Sequence, residues 1–176
     1  MSFRIGRVPV DRATFRDLAG AFPSGVTIVT TVDDTGAPKG LTSQAFIGLS
    51  TEPPLMLVSV DRSSRTLEAL RHSRRFVVNF LRAGSEAIST RFASKDEDKF
   101  RDLRWVPSQI ADGVPILSEA VCAFAECVVT DIVEAGDHVM FIGQVEGGRV
   151  VGGPPLLYYR RTYAAWPEES PAPPVL

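Results

Sequence analysis

An antiparallel β-barrel with short helical excursions is the fold class that this sequence predicts. Three observations carry the prediction. About seven segments have the length and the β-branched or alternating composition of strands, among them TIVTTV at 27–32, RFVVNFL at 75–81 and AVCAFAECVVTDIV at 120–133. Turns short enough for a hairpin separate several of them, such as Asp33-Asp34-Thr35-Gly36 and Glu134-Ala135-Gly136-Asp137. No GxGxxG or GxxxxGK[ST] signature is present, which argues against a doubly wound parallel sheet and the nucleotide-binding routes those glycines serve, and no GxSxG nucleophile elbow stands out either.

In chain order, Asp11 can cap a first helix whose Phe15, Leu18, Ala19 and Phe22 recur at helical spacing and should pack onto the core; Pro23-Ser24-Gly25 ends it. GVTIVTTV then forms a strand and turns at Asp33–Gly36 into GLTSQAF. Pro53 and Pro54 can only precede or edge a sheet, so the next strand begins at Leu55 and runs to Val60. It feeds Asp61-Arg62-Ser63-Ser64-Arg65 and a helix expected over 64–72. The mouth of that helix has two readings. Its free N–H groups, the serine hydroxyls and the Arg65 fork suit a phosphate, or Ser63 or Ser64 simply caps the helix while Arg65 is solvated.

RFVVNFL is another apolar strand, with Asn79 expected as a satisfied core amide. The following SEAISTRFASKDEDKF is a polar helical excursion in which Ser94 and Glu97 have capping-box spacing. After a turn at Asp112–Pro115, the strand at 120–133 is long enough to bend around a barrel, and it returns as HVMFIGQVEGG. Glycines and prolines at 152–155 lead into LLYYRRTY, read as one last strand.

With 176 residues the chain suits one well-buried domain, expected over 1–166, followed by a Pro-rich tail over 167–176 that is loose or lies along a partner. Net charge is only -2 with no block of like charge, so neither nucleic acid nor an anionic membrane surface is indicated as a partner. No apolar run approaches the roughly 18 residues of a spanning helix, and MSFRIGRVPV lacks a signal peptide's apolar core; a cytoplasmic location is the expectation. Cys122 and Cys127 are five apart on a strand, hence on opposite faces, and with only His72 and His138 beside them no metal site is expected.

The order GVTIVTT, GLTSQAF, LSTEPPL, SSRTLEAL, FVVNFL, RFAS with DKF, AECVV, GDHVMFIGQV and PLLYYRRTY resembles the short-chain flavin reductases, the reductase components of two-component flavin-dependent monooxygenases. Each motif is weak alone, but together they cover roughly 15–163. The resemblance implies a split-barrel flavin-binding fold, a homodimer with sites at its interface, and reduction of loosely held FMN or FAD by NADH or NADPH. Reduced flavin would then pass to a separate monooxygenase. Carried over by position, it puts Thr42, Ser43, Gln44 and Ala45 beside the flavin ring and ribityl chain, and Asp61, Ser63, Ser64 and Arg65 near the phosphate. Arg91, Phe92 and Ala93 add a further contact, and His138 in its Gly-Asp-His setting meets the nicotinamide as the catalytic residue. Two positions depart from the family's usual residues: Gln44 stands where asparagine is common and Ala45 where serine is common.

Hydride transfer between two cofactors requires no nucleophile or acid–base pair, so the missing triad and metal cluster agree with this activity. The competing readings are a flavin carrier without turnover and an oxidase that holds FMN tightly.

Overall fold

The computed structural model describes residues 8–167; the segment 1–7 and all but the first residue of the expected tail lie outside them. Three helices occur among the described residues, α1 (Arg12–Gly20), α2 (Leu67–Ser73) and α3 (Glu86–Ala93). The strands are β1 (Ser24–Gly25), β2 (Thr27–Val32), β3 (Pro38–Ser43), β4 (Phe46–Thr51), β5 (Pro54–Asp61) and β6 (Arg75–Leu81). Then follow β7 (Val106–Pro107), β8 (Pro115–Ile116), β9 (Val121–Ala135), β10 (His138–Val150), β11 (Leu156–Tyr159) and β12 (Thr162–Ala165).

The main sheet has seven antiparallel strands in the order β3-β2-β6-β9-β10-β5-β4. Its two edge strands, β3 and β4, are consecutive in sequence and joined by Gln44 and Ala45 alone. Two residues cannot span a flat seven-stranded sheet, whose strands lie about 4.8 Å apart. The sheet therefore curls until its edges meet, and the Ser59 amide donates to the Ala45 carbonyl beside the remaining slit (2.9 Å). This is the split of the expected barrel. A small sheet, β1-β11-β12, continues from β2 across Val26, whose N–H donates to Leu156 (3.0 Å).

The β-branched run of β2 is buried at all of Thr27–Thr31, because helices and loops cover the face turned away from the barrel. Its polar groups are paired: the Thr30 hydroxyl donates to the Pro115 carbonyl (2.6 Å), and the Asn79 amide donates to Ile28 and accepts from Leu117. Asn79 is the satisfied core amide its strand context implied. One core cluster includes Val29, Val58, Leu70, Phe76 and Phe141; a second includes Ile28, Leu81, Phe92, Leu117 and Leu156.

Four local expectations need correction. Asp11 does cap α1, accepting the Thr14 N–H (2.7 Å), but no residue of the helix is buried: Phe15 and Leu18 are each 62% exposed, and Phe22, which falls past the helix end, is 77% exposed. The apolar stripe faces outward. Helix α2 begins at Leu67, after Thr66, not at Ser64. Ser64 instead accepts the Thr66 N–H, while its own N–H reaches the Asp61 carbonyl, and such local bonds compete with helix formation. Helix α3 stops before Ser94, whose hydroxyl accepts the Asp96 N–H in a turn rather than serving a capping box. Finally, LLYYRRTY is two strands, β11 and β12, folded back at Arg160-Arg161.

No helix of the described residues is long and apolar enough to cross a membrane. Both cysteines are free, and no cluster of potential metal ligands occurs among the described residues.

Candidate functional site

At the slit, the break between β3 and β4 opens a cavity of about 400 Å³. Thr42, Ser43, Gln44 and Ala45 line it from the break, and Asp61, Ala93 and His138 from three other elements. These are seven of the twelve residues singled out in the sequence. Ser89, Tyr158 and Tyr163 also line it and carried no local signal, since they reach the site only through α3 and the β11–β12 hairpin. The Tyr158 and Tyr163 rings meet edge to face at 5.0 Å, and the Tyr163 hydroxyl lies 3.0 Å from that of Ser89.

The break is held in shape by its own polar groups. The Thr27 hydroxyl donates to the Ser43 carbonyl (2.7 Å), and that of Thr42 to the Ser89 carbonyl (2.6 Å). Ser43's hydroxyl accepts the Ala45 N–H at 3.1 Å, so that amide is engaged within the turn. Gln44 is exposed and lines the cavity.

His138 opens β10, directly paired with Asp61 at the end of β5. Its Nδ1 lies 2.8 Å from Asp137 Oδ1, and a proton on that nitrogen is donated to the carboxylate. The bond from His138 holds Asp137 below the usual carboxylate range. Asp61 is also lowered, first by the Ser63 hydroxyl and amide and then by the charge of His138. Along β10 the even positions His138, Met140, Ile142 and Gln144 are half-buried while Val139, Phe141 and Gly143 are buried, as strand alternation requires. A clamp fixes the hairpin: the Arg62 guanidinium donates to the Gly136 carbonyl (3.0 Å) and pairs with Glu134, which also accepts from Arg71 (2.7 Å).

The remaining five residues divide. Arg65 lines an adjacent cavity of about 260 Å³ with Lys99, on the Gly40 side of β3. The Lys99 ammonium donates to the Phe92 carbonyl (2.7 Å), and its pKa is lowered by desolvation first and then by the Arg65 charge. Two cations pressed together in a partly dry cavity favour an anion between them. Asp96 and Glu97 offset part of that charge, Glu97 lying 3.9 Å from Arg65. Lys99 also carried no signal of this in the sequence, where it falls at the end of the polar excursion over 85–100. Ser63 and Ser64 belong to the turn after β5, the Ser63 hydroxyl donating to Asp61 (2.7 Å), and not to a helix mouth. Phe92 is a core residue, 1% exposed, with its ring under Gly40, where an added Cβ would lie 2.7 Å from it. Arg91 donates to the Arg101 carbonyl (2.7 Å) on the exposed side of α3.

The two cavities suit a flavin in size and chemistry. The slit has room for a fused ring, with aromatic and hydroxyl groups around it, and the Arg65–Lys99 cavity has the charge for its phosphate.

The profile of the flavin reductase like domain family matches residues 19–167. The chain is 49% identical over 169 residues to a flavin reductase (NADH) of Kitasatospora aureofaciens, covering 92% of this chain and 86% of that one. It is 39% identical over 167 residues to the reductase subunit of a flavin-dependent monooxygenase of Mycobacterium tuberculosis, covering 93% and 87%. Among solved structures, a homologue of nitrilotriacetate monooxygenase component B from Mycobacterium thermoresistibile superposes with a TM-score of 0.84 at 39% identity, over 92% of this chain and 91% of that chain.

Proposed function

The chain belongs to the flavin reductase-like family and is an NAD(P)H:flavin oxidoreductase, and we propose that it reduces FMN or FAD in the slit between β3 and β4. The observation that carries this placement is the convergence of Thr42–Ala45, Asp61, Ala93 and His138 on one cavity. Bound flavin would accept a hydride from the dihydronicotinamide, and the two cofactors supply all of that chemistry. What the chain contributes is geometry. Thr42, Ser43 and Ala45, locked by their own hydrogen bonds, shape the floor on which a flavin ring rests, and Gln44 presents a free amide to its polar edge. Arg65 and Lys99 hold the phosphate through charge-assisted bonds, so the flavin's tail leaves toward Gly40. His138, bonded to Asp137 and paired across the strands with Asp61, orients the nicotinamide over the exposed ring face.

A monooxygenase partner receives the product, as the relatives named as monooxygenase reductase subunits support. The working unit is a homodimer. One feature supports it: an apolar groove of about 630 Å³ lined by Val26, Met56, Phe80, Phe124 and Val145.

The test is to follow NADH and NADPH oxidation by purified protein with no addition and with FMN, FAD or riboflavin. Colourless protein that turns over only with added flavin is expected. Protein that stays yellow through gel filtration and needs no addition would make it a tight flavin holder instead.

A further inference from the structure

We propose that the cavity between α1 and the Tyr159–Thr162 turn binds the adenylate end of the nicotinamide donor, with Arg160 and Arg161 on its diphosphate. This deepens the function proposed above and rests on it. The turn is the first observation. Tyr159 pairs with Thr162, so Arg160 and Arg161 alone make the loop, at φ 45° and 66°. Two successive left-handed residues match a type I′ turn, where Asn, Asp and Gly are the usual occupants because a side chain crowds the following carbonyl. Two arginines stand there against local preference, and such departures concentrate where a ligand is held.

The cavity beside the turn is the second observation. It measures about 720 Å³ and is lined by Phe15 of α1, by Phe22 just past that helix, and by Tyr158, Arg160 and Arg161. Arg16 adds a third guanidinium against the single carboxylate of Asp17. Among the described residues, neither Arg160 nor Arg161 takes part in an ion pair; Arg160 lies 5.4 Å over the Tyr159 ring. Aromatic walls and unneutralised guanidinium forks are the complement of a purine nucleotide and its phosphates.

Position decides which nucleotide. Gln44 and Tyr158 line both this cavity and the flavin slit, so a ligand can pass from one to the other. Strand β3 leads from Gly40, at the Arg65–Lys99 cavity, toward Gln44, at this one. A flavin anchored by its phosphate at Arg65 sends its own adenylate, if it has one, out on the Gly40 side. The donor stacked over the ring is left the Gln44 side.

The double variant Arg160→Asn/Arg161→Gly tests this, since Asn-Gly suits the turn and should keep or raise the melting temperature. ADP-ribose, titrated calorimetrically into FMN-saturated protein, should bind the variant roughly tenfold or more weakly than wild type, the loss expected for charge-assisted phosphate bonds. In stopped-flow reduction the apparent Kd for NADH should rise by a similar factor. Reduced nicotinamide mononucleotide, which lacks the adenylate, should show no change, and FMN and FAD should bind the variant as they bind wild type. Unchanged ADP-ribose binding would overturn the proposal, as would equal shifts for NADH and the mononucleotide. A loss confined to FAD would overturn it too, by giving the cavity to the flavin's adenylate. Wild-type protein inactive with every added flavin would defeat the function reading itself, whereas an active wild type and an indistinguishable variant defeat only this subsite.

Discussion

At position 138 an imidazole stands between two carboxylates, one from its own turn and one from the neighbouring strand. The side chain is 40% exposed, so its removal should cost little stability and act mainly on the ligand above it. His138→Ala is expected to raise the KM for NADH or slow hydride transfer while leaving flavin affinity nearly unchanged. Stopped-flow reduction across the NADH range, with flavin binding titrated separately, decides it; unchanged reduction kinetics would remove His138 from the site. Arg65 and Lys99 make a second contrast. Arg65 is half exposed, and solvent screening limits its contribution to FMN binding to about 1 kcal/mol, or roughly fivefold in affinity. Lys99 is further withdrawn from water and bonded to carbonyls, so Lys99→Ala should weaken FMN more than Arg65→Ala does. Neither change should affect riboflavin, which has no phosphate, and equal losses for FMN and riboflavin would refute the assignment.

Hairpins are the elements that shape the site, and their turns are built from local side-chain bonds. The β2–β3 turn hangs on Asp33, which accepts from the Thr35 hydroxyl (2.7 Å) and from the amides of Thr35 and Ala37, with Lys39 3.2 Å away. The Thr35 hydroxyl is the main reason its pKa falls from 3.8 to about 2, with the Ala37 amide and Lys39 adding to it. A carboxylate with a depressed folded pKa stabilises the fold above its unfolded value and loses that contribution as pH falls through the folded one. Asp33→Asn should therefore be less stable than wild type at pH 7, with the gap closing between pH 3.8 and about 2. Urea midpoints at neutral and acid pH check this, and a gap of constant size would contradict it. The β9–β10 turn is tied instead by the Arg62–Glu134–Arg71 clamp, which joins the His138 hairpin to the segment after β5.

For the whole molecule, curling a seven-stranded sheet until β3 meets β4 leaves apolar surface that one chain does not cover. Leu18 is exposed on α1, and the groove beside Val145 and Val150 is a second apolar face. Sedimentation at micromolar concentration should show a dimer, and Val150→Glu, in the exposed groove, should weaken it. A fully active monomer would contradict the dimer and leave these faces to another partner.

Strand identity, hairpin turns and the buried Asn79 were legible in the residues because each depends on neighbours in sequence: β-branched runs, Asp-Gly chemistry, alternation. So was the motif series that carries the family resemblance. The start of α2 was misread because Ser64 and Asp61 form a turn that competes with the helix pattern, and LLYYRRTY because nothing in arginine announces a left-handed turn. Burial of α1 could not be read at all, since periodicity shows that a helix has an apolar face but not which surface receives it. The site itself belonged to the tertiary structure. Lys99 looked like part of a polar excursion until the fold set it beside Arg65, and Tyr163 like a strand residue until curling of the sheet brought α3 and the β11–β12 hairpin to the slit. Sequence determined which segments could be strands; closure over long chain separations decided which side chains meet a ligand.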